Sequence, residues 1–180
     1  RDAAYEALVA RPNVSELVLD LASPAAVARL PEGPFDVVYH LAALNGTQNF
    51  YERPYEVARS STLPTFALFE RYGRQGGMGR FVYAGSSEAY ACTVTRFDWP
   101  VPTDESVPLS IDDPTNLRWS YGASKLHGEV VSVAGAAQFG VPYTVIRYHN
   151  VYGPRMGDKH VIPDFVERMA RGEYVLLGHE

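Results

Sequence analysis

The chain is poor in cysteine, in lysine and in long apolar runs. Its one cysteine, Cys92, excludes an internal disulfide and a cysteine-based zinc site. It suits a reducing compartment, and we expect it to be a small buried or half-buried apolar residue. No run approaches the ~18 apolar residues of a membrane span, so we expect a cytoplasmic protein without a membrane partner. The net charge of -5, without a cluster of basic residues, argues against nucleic-acid binding.

What the sequence does contain is an alternation of short apolar runs with helical patterns, which predicts a parallel α/β sheet. The runs VVYHLA and FVYAG are apolar on both alternating faces, as is typical of strands covered by helices. We predict strands at 15–19, 36–41, 80–85, 143–148 and 174–177, and helices at 3–10, 24–30, 54–72, 119–139 and 163–171. Gly140 stands where a glycine that ends a helix is expected. The 180 residues fit one domain of ordinary size.

Residues 91–118 interrupt this alternation. The segment holds four prolines, at positions 100, 102, 108 and 114, among acidic residues and has no sustained period. It predicts a long loop, and loops of this length are commonly functional or disordered.

Polar and small side chains follow the predicted strands. Ligands of open parallel sheets bind beyond the carboxyl ends of the strands. These ends carry residues 20–21, 41–43, 85–88 and 147–150. We therefore expect four separate segments to meet at one edge of the sheet and form a site.

Tyr121 and Lys125 stand four residues apart at the start of the predicted helix 119–139, so they share one face. Lysine is rare in this chain, since every basic residue except Lys125 and Lys159 is arginine. A compact ammonium beside a phenol favours its ionised form, which can accept a proton from an alcohol. Ser86 could orient that alcohol. This chemistry indicates alcohol oxidation with a cofactor that accepts the hydride.

Five segments in order carry a resemblance to a known family. They are LDL at 19–21, VVYHLAA at 37–43, FVYAGSSEAY at 81–90, YGASK at 121–125 and RYHNVYGPR at 147–155. Together they resemble the extended short-chain dehydrogenase/reductase family of NAD-dependent nucleotide-sugar epimerases and dehydratases. The resemblance implies a Rossmann-type doubly wound parallel sheet over residues 1–155, lacking its first strands. It also implies that residues 156–180 begin a smaller substrate-binding region.

The resemblance further implies roles for individual residues. Tyr121 would be the base, Lys125 would lower its pKa and bind the nicotinamide ribose, and Ser86 would hold the reacting hydroxyl. Glu88 would act as an acid after oxidation at C4. The cofactor, NAD rather than NADP, would contact Asp20, Leu21, Leu41, Ala42, Ala43, Ser61, Ala84, Tyr121, Lys125 and Tyr148. The nucleotide-sugar substrate would contact Ser87, Asn150 and Arg155. No metal is expected, because the five histidines lack metal-ligand spacing.

The sequence also departs from the family pattern. The glycine-rich turn after the first strand is not found, and two strands would be expected before Ser15. Ser61 replaces an asparagine, and Ser87 replaces the aspartate of glucose dehydratases. The Ser-Ser-Glu triplet resembles uronic-acid decarboxylases and mannose-type dehydratases instead.

Three functions remain open: an epimerase or dehydratase acting through C4 oxidation, a UDP-glucuronate-type decarboxylase, and a non-catalytic NAD(P)-binding regulator. The resemblance also implies a homodimer formed through helices 54–72 and 119–139.

Overall fold

A computed structural model describes residues 2–154, 156–157 and 160–173. Contacts within the chain divide it into two compact units, residues 1–148 and 149–180. The predicted boundary after residue 155 stays a prediction. The predicted strand 174–177 lies outside the described residues.

The first unit contains a parallel sheet of three strands. They are β1 (Val38–His40), β2 (Phe81–Ser86) and β3 (Tyr143–Tyr148), in the order β1-β2-β3. His40 lies beside Tyr83, and Ser86 lies beside Tyr148. Every residue of β2 is buried, which explains why its sequence is apolar on both faces. The predicted mixed α/β class with a parallel sheet is confirmed.

Seven α-helices accompany the strands among the described residues. They are α1 (Ala3–Val9), α2 (Pro24–Val27), α3 (Thr47–Glu52), α4 (Pro54–Leu68), α5 (Ala91–Phe97), α6 (Trp119–Phe139) and α7 (Val161–Ala170). A π-helical turn, Phe69–Gly73, continues α4, and a 3₁₀ turn, Ser87–Ala89, follows β2. Gly140 ends α6 with a left-handed φ of 67°, and its N–H binds the Ala136 carbonyl, as predicted.

The core of this unit lies where α4, the π-helical turn and α6 pack on β2. Tyr83 is fully buried and lies against Gly128 of α6. A Cβ at position 128 would overlap the Tyr83 hydroxyl, so only glycine allows this approach. The contact fixes the distance of α6 from β2 and thereby places the first turns of α6 at the end of the strand.

The predicted strand at 15–19 is wrong. The segment is not part of a ladder, and Leu17 and Val18 are 54% and 78% exposed. A strand needs a hydrogen-bonded neighbour, and none of the described strands pairs with these residues. The helix predicted at 24–30 also ends early, at Val27. Tight turns follow it, since Pro31 disfavours a helical conformation at Leu30.

The long loop predicted over 91–118 is wrong in its first quarter, where α5 forms. Its run of β-branched residues at 93–95 disfavours a helix locally, but packing overrides this preference. Cys92 and Thr93 are buried, and Thr93 Oγ1 donates to the Pro108 carbonyl at 2.6 Å. The Asp112 N–H donates to Cys92 Sγ at 3.2 Å. The loop is therefore anchored to α5, and Cys92 is buried as predicted.

Candidate active site

A cavity of about 350 Å³ lies beyond the carboxyl ends of the three strands. Its lining residues are Leu41, Ala43, Asn45, Ala84, Gly85, Tyr121, Lys125 and Tyr148. Six of these were predicted as cofactor contacts; Asn45 and Gly85 were not. The position agrees with the general rule for parallel sheets, because adjacent strand ends leave a crevice there.

Lys125 forms the buried end of this cavity. Lys125 is only 3% exposed, and its Nζ donates to the Ala84 carbonyl at 2.7 Å. The same Nζ lies 5.7 Å from the centre of the Tyr121 ring. Burial lowers the pKa of Lys125 to about 8, so the ammonium is still the dominant form at neutral pH.

Tyr121 lies between Phe50 and Ser86. Its ring stacks on Phe50 at 5.0 Å, with an angle of 18° between the planes, and its side chain interacts with that of Ser86. Burial, followed by the charge of Glu88, raises the pKa of Tyr121, and the Ser86 bond opposes this. The pKa of Tyr121 is therefore not lowered in this structure, and the predicted action of Lys125 on it stays a prediction. The Lys125 ammonium is directed to the Ala84 carbonyl.

Ser86 ends β2 and is buried. Its Oγ accepts a hydrogen bond from the Glu88 N–H at 3.2 Å, which caps the 3₁₀ turn. This hydroxyl therefore links the end of the strand to the turn, and the Ser86 side chain also acts on the phenol of Tyr121. Ser87, the next residue, is half-buried at the start of the turn.

Glu88 forms a two-point ion pair with Arg118. Arg118 Nη1 lies 2.7 Å from Glu88 Oε2, and Nη2 lies 2.8 Å from Oε1. The Arg118 guanidinium carbon also lies 5.2 Å from the centre of the Phe50 ring. Neither Arg118 nor Phe50 was among the predicted site residues. In the sequence, only the position of Arg118, three residues before Tyr121, pointed to a place near the site. Nothing in the sequence around Phe50 indicated that it would lie there.

Four predicted cofactor residues do not line this cavity. Asp20 instead accepts a bond from the Ala22 N–H at 2.9 Å and lies 3.9 Å from Arg59 Nη1, while Leu21 follows it in a turn. Ala42 is exposed after β1, and Ser61 is buried in α4. Their predicted roles stay predictions. Asn150 belongs to the second unit, and Arg155 lies outside the described residues.

A buried polar layer lies between β1 and α4. His40 Nε2 is 3.1 Å from Thr65 Oγ1, and the imidazole packs against Phe81 and Tyr83. Burial, assisted by the charge of Lys125, lowers the pKa of His40 to about 4. His40 is therefore neutral at pH 7 and is buried in this unit.

The parallel sheet, the strand-end cavity and the group of Tyr121, Ser86 and Lys125 beside it define an α/β fold with a candidate ligand site at the carboxyl ends of its strands. Comparison with known proteins assigns the family. The profile of the NAD dependent epimerase/dehydratase family matches residues 4–180, so the chain belongs to this family.

Individual relatives agree with that assignment. The chain is 30% identical over 151 residues to UDP-N-acetyl-alpha-D-glucosaminuronate decarboxylase of Bacillus cytotoxicus, covering 79% of this chain and 42% of the relative. It is similar to the UDP-glucose 4-epimerase of Thermotoga maritima solved with UDP-glucose, with a TM-score of 0.66, 30% identity and coverage of 79% and 44%. MoeE5 solved with UDP-glucose and NAD gives a TM-score of 0.63, 29% identity and coverage of 86% and 47%.

The chain thus spans less than half the length of each of these three relatives. None of the helices in residues 2–154, 156–157 and 160–173 combines the length and apolar character needed to cross a membrane.

Proposed function

We propose that the protein containing this chain is an NAD-dependent enzyme that oxidises a nucleotide-linked hexose at C4, after which the keto sugar is epimerised or dehydrated. The observation that carries this proposal is that Tyr121 and Lys125 lie together at the strand-end cavity, with Nζ 5.7 Å from the ring centre, and that Ser86 interacts with Tyr121. Family membership supports it, as do relatives named as UDP-glucose 4-epimerases.

The cavity fits the nicotinamide end of NAD. Ala43, Ala84 and Gly85 are small and let a ring approach the backbone, while Lys125 offers N–H donors besides the one that binds the Ala84 carbonyl. When bound, NAD supplies the acceptor for the C4 hydride. The MoeE5 structure with NAD and UDP-glucose supports this choice of cofactor. Leu41 and Tyr148 would close the sides of the cavity.

The protein's own residues would handle the proton. Ser86 holds the C4 hydroxyl by a hydrogen bond, and Tyr121 Oη accepts its proton. The positive charge of Lys125 stabilises the phenolate form of Tyr121, which is the form that accepts this proton. Because the pKa of Tyr121 is raised, its phenolate is a minor form at neutral pH. The rate of oxidation should therefore increase as the pH rises above neutral.

The direct test uses the full-length protein and a panel of nucleotide sugars. We expect a change of sugar in the wild type and its loss in Tyr121→Phe, while NAD remains bound. Undiminished turnover in Tyr121→Phe would contradict the proposal.

A second candidate, a decarboxylase of a nucleotide-linked uronic acid, is favoured by the similarity to the Bacillus cytotoxicus enzyme. The Ser-Ser-Glu sequence at 86–88 agrees with it. Incubation with UDP-glucuronate and related uronates, with measurement of carbon dioxide, separates the two. Release with any of them supports decarboxylation, and no release from the panel excludes it.

We also propose a homodimer through α4 and α6. Both helices expose apolar side chains, namely Tyr55, Leu63, Phe66, Val130 and Val133. Exposed apolar patches of this kind mark association surfaces. Light scattering of the full-length protein should give a dimer that Leu63→Glu converts to a monomer. The cytoplasmic location stays a prediction.

A further inference from the structure

Arg118 contacts two residues near Tyr121, Glu88 and Phe50. Its guanidinium binds both carboxylate oxygens of Glu88 and lies 5.2 Å from the centre of the Phe50 ring. Phe50 is buried and stacks on Tyr121. The Glu88 N–H donates to Ser86 Oγ, and the Ser86 side chain acts on Tyr121. Arg118 is therefore connected to Tyr121 by two routes, through the Phe50 ring and through Glu88.

The ion pair is partly shielded from water, since the side chains of Arg118 and Glu88 are 32% and 23% exposed. Charges at this depth are screened less than surface charges, so the pair influences neighbouring groups. Glu88 acts on Tyr121, and its charge opposes ionisation of the phenol. Arg118 neutralises that charge. Removal of the Glu88 charge should therefore lower the pKa of Tyr121, whereas removal of the Arg118 charge should raise it.

The other ionisable groups near Tyr121 come from α6, β2 and β3, and Tyr148 of β3 lines the same cavity. Lys125 belongs to α6 like Tyr121 itself, and Tyr83 belongs to β2 and interacts electrostatically with Tyr121. From α3, Tyr51 acts on Arg118 rather than on Tyr121.

We propose that Arg118 is a positioning residue for Tyr121, which compensates the Glu88 carboxylate and holds the Phe50 ring against the phenol. This inference rests on the proposed role of Tyr121 as the base. An arginine is suited to both tasks because its planar fork matches a carboxylate at two points and stacks on an aromatic face.

The charge part is tested by titrating Tyr121 in the full-length protein with ring-labelled tyrosine and NMR. The Tyr121 signal is assigned by its loss in Tyr121→Phe. We expect the Tyr121 titration to move to lower pH in Glu88→Gln, to higher pH in Arg118→Gln, and back towards the wild-type position in the double variant. An unchanged titration in both single variants, or a shift of Arg118→Gln to lower pH, would overturn the inference.

The geometric part is tested with Arg118→Lys, which keeps the charge but loses the fork and the planar stack. Its Tyr121 titration should stay near that of the wild type, while kcat falls roughly tenfold or more because the phenol is misplaced. An unchanged kcat would show that Arg118 does not hold the ring.

The matched control is Arg96→Gln. Arg96 forms a similar pair with Asp112, at 2.6 Å, but its side chain is 62% exposed and the pair involves α5 and the following loop. This variant should change neither the Tyr121 titration nor kcat. A shift equal to that of Arg118→Gln would show a general effect of net charge and overturn the inference.

The titration requires no turnover, so it separates this inference from the proposed function. Shifts of the predicted sign without any conversion of nucleotide sugars would support the inference and contradict the function. Conversion of nucleotide sugars that depends on Tyr121, without any shift of its titration, would support the function and contradict the inference.

Discussion

The two sides of the candidate site are built differently. On the inner side, Lys125 is buried and donates to a backbone carbonyl, and His40 is kept neutral. On the outer side, Glu88 and Arg118 form a half-exposed ion pair. A backbone partner is independent of side-chain identity, whereas an ion pair changes with either residue. Under the proposed function, we expect the oxidation step to depend on the inner side and the later reaction on the outer side.

The largest expected effect is at the phenol between the two sides. Tyr121→Phe keeps the ring that stacks on Phe50 but removes the proton acceptor. We expect the loss of general-base catalysis to lower kcat about a thousandfold. Steady-state kinetics measure it, with retention of NAD as the control for folding. A loss of less than tenfold would remove Tyr121 from the mechanism.

The inner side should also control stability at acid pH. The pKa of His40 in the folded protein, about 4, lies below its ordinary value of 6.5. Its contribution to the free energy of unfolding is therefore fully present above pH 6.5 and is lost as the pH falls towards 4. The contribution amounts to up to about 3 kcal/mol.

Urea unfolding of the wild type and His40→Gln across this range checks the sign. The decline in stability should be shallower in the variant, since glutamine does not titrate. Parallel curves for the two proteins would contradict the assignment of a buried neutral imidazole.

A third prediction concerns replacement of Lys125, the cation on the inner side. Lys125→Met removes the ammonium but keeps an unbranched apolar chain, and we expect kcat to fall about a hundredfold through lost electrostatic stabilisation. Lys125→Arg keeps the charge, but its larger head must fit a space where Nζ already lies 2.7 Å from the Ala84 carbonyl. We expect arginine to restore little activity. Full activity of Lys125→Arg would show that charge alone matters on the inner side.

The smallest expected effect concerns the outer side. In Glu88→Gln, reduction of NAD by the sugar should persist, while formation of the final product slows about tenfold through loss of one acid–base group. Rapid-quench analysis separates the two steps. Equal slowing of both would mean that the two sides do not divide the reaction.

The parts of this architecture that were predictable are those where local pattern and packing agree. The apolar run of β2 predicted a buried strand, and Gly140 predicted the end of α6. The segment 15–19 has a strand-like pattern but no paired neighbour, which no local pattern reveals. In α5, burial of Cys92 and Thr93 overrode β-branched residues.

The same limit applies to the site. The spacing of Tyr121 and Lys125 placed both at the cavity. The direction of the Tyr121 pKa was not predictable, because it depends on burial under Phe50 and on the charge of Glu88. Glu88 and Arg118 are 30 residues apart in sequence, so their pairing appears only in three dimensions.

The central claim, hydride removal from C4 through Tyr121, is tested most directly with nucleotide sugars deuterated at C4. The full-length protein with NAD is mixed with each sugar, quenched within one turnover and analysed by mass spectrometry. The account predicts deuterium on the nicotinamide and a 4-keto sugar in the wild type, with neither in Tyr121→Phe. A converted sugar that keeps its C4 deuterium throughout, without labelled cofactor, would contradict it.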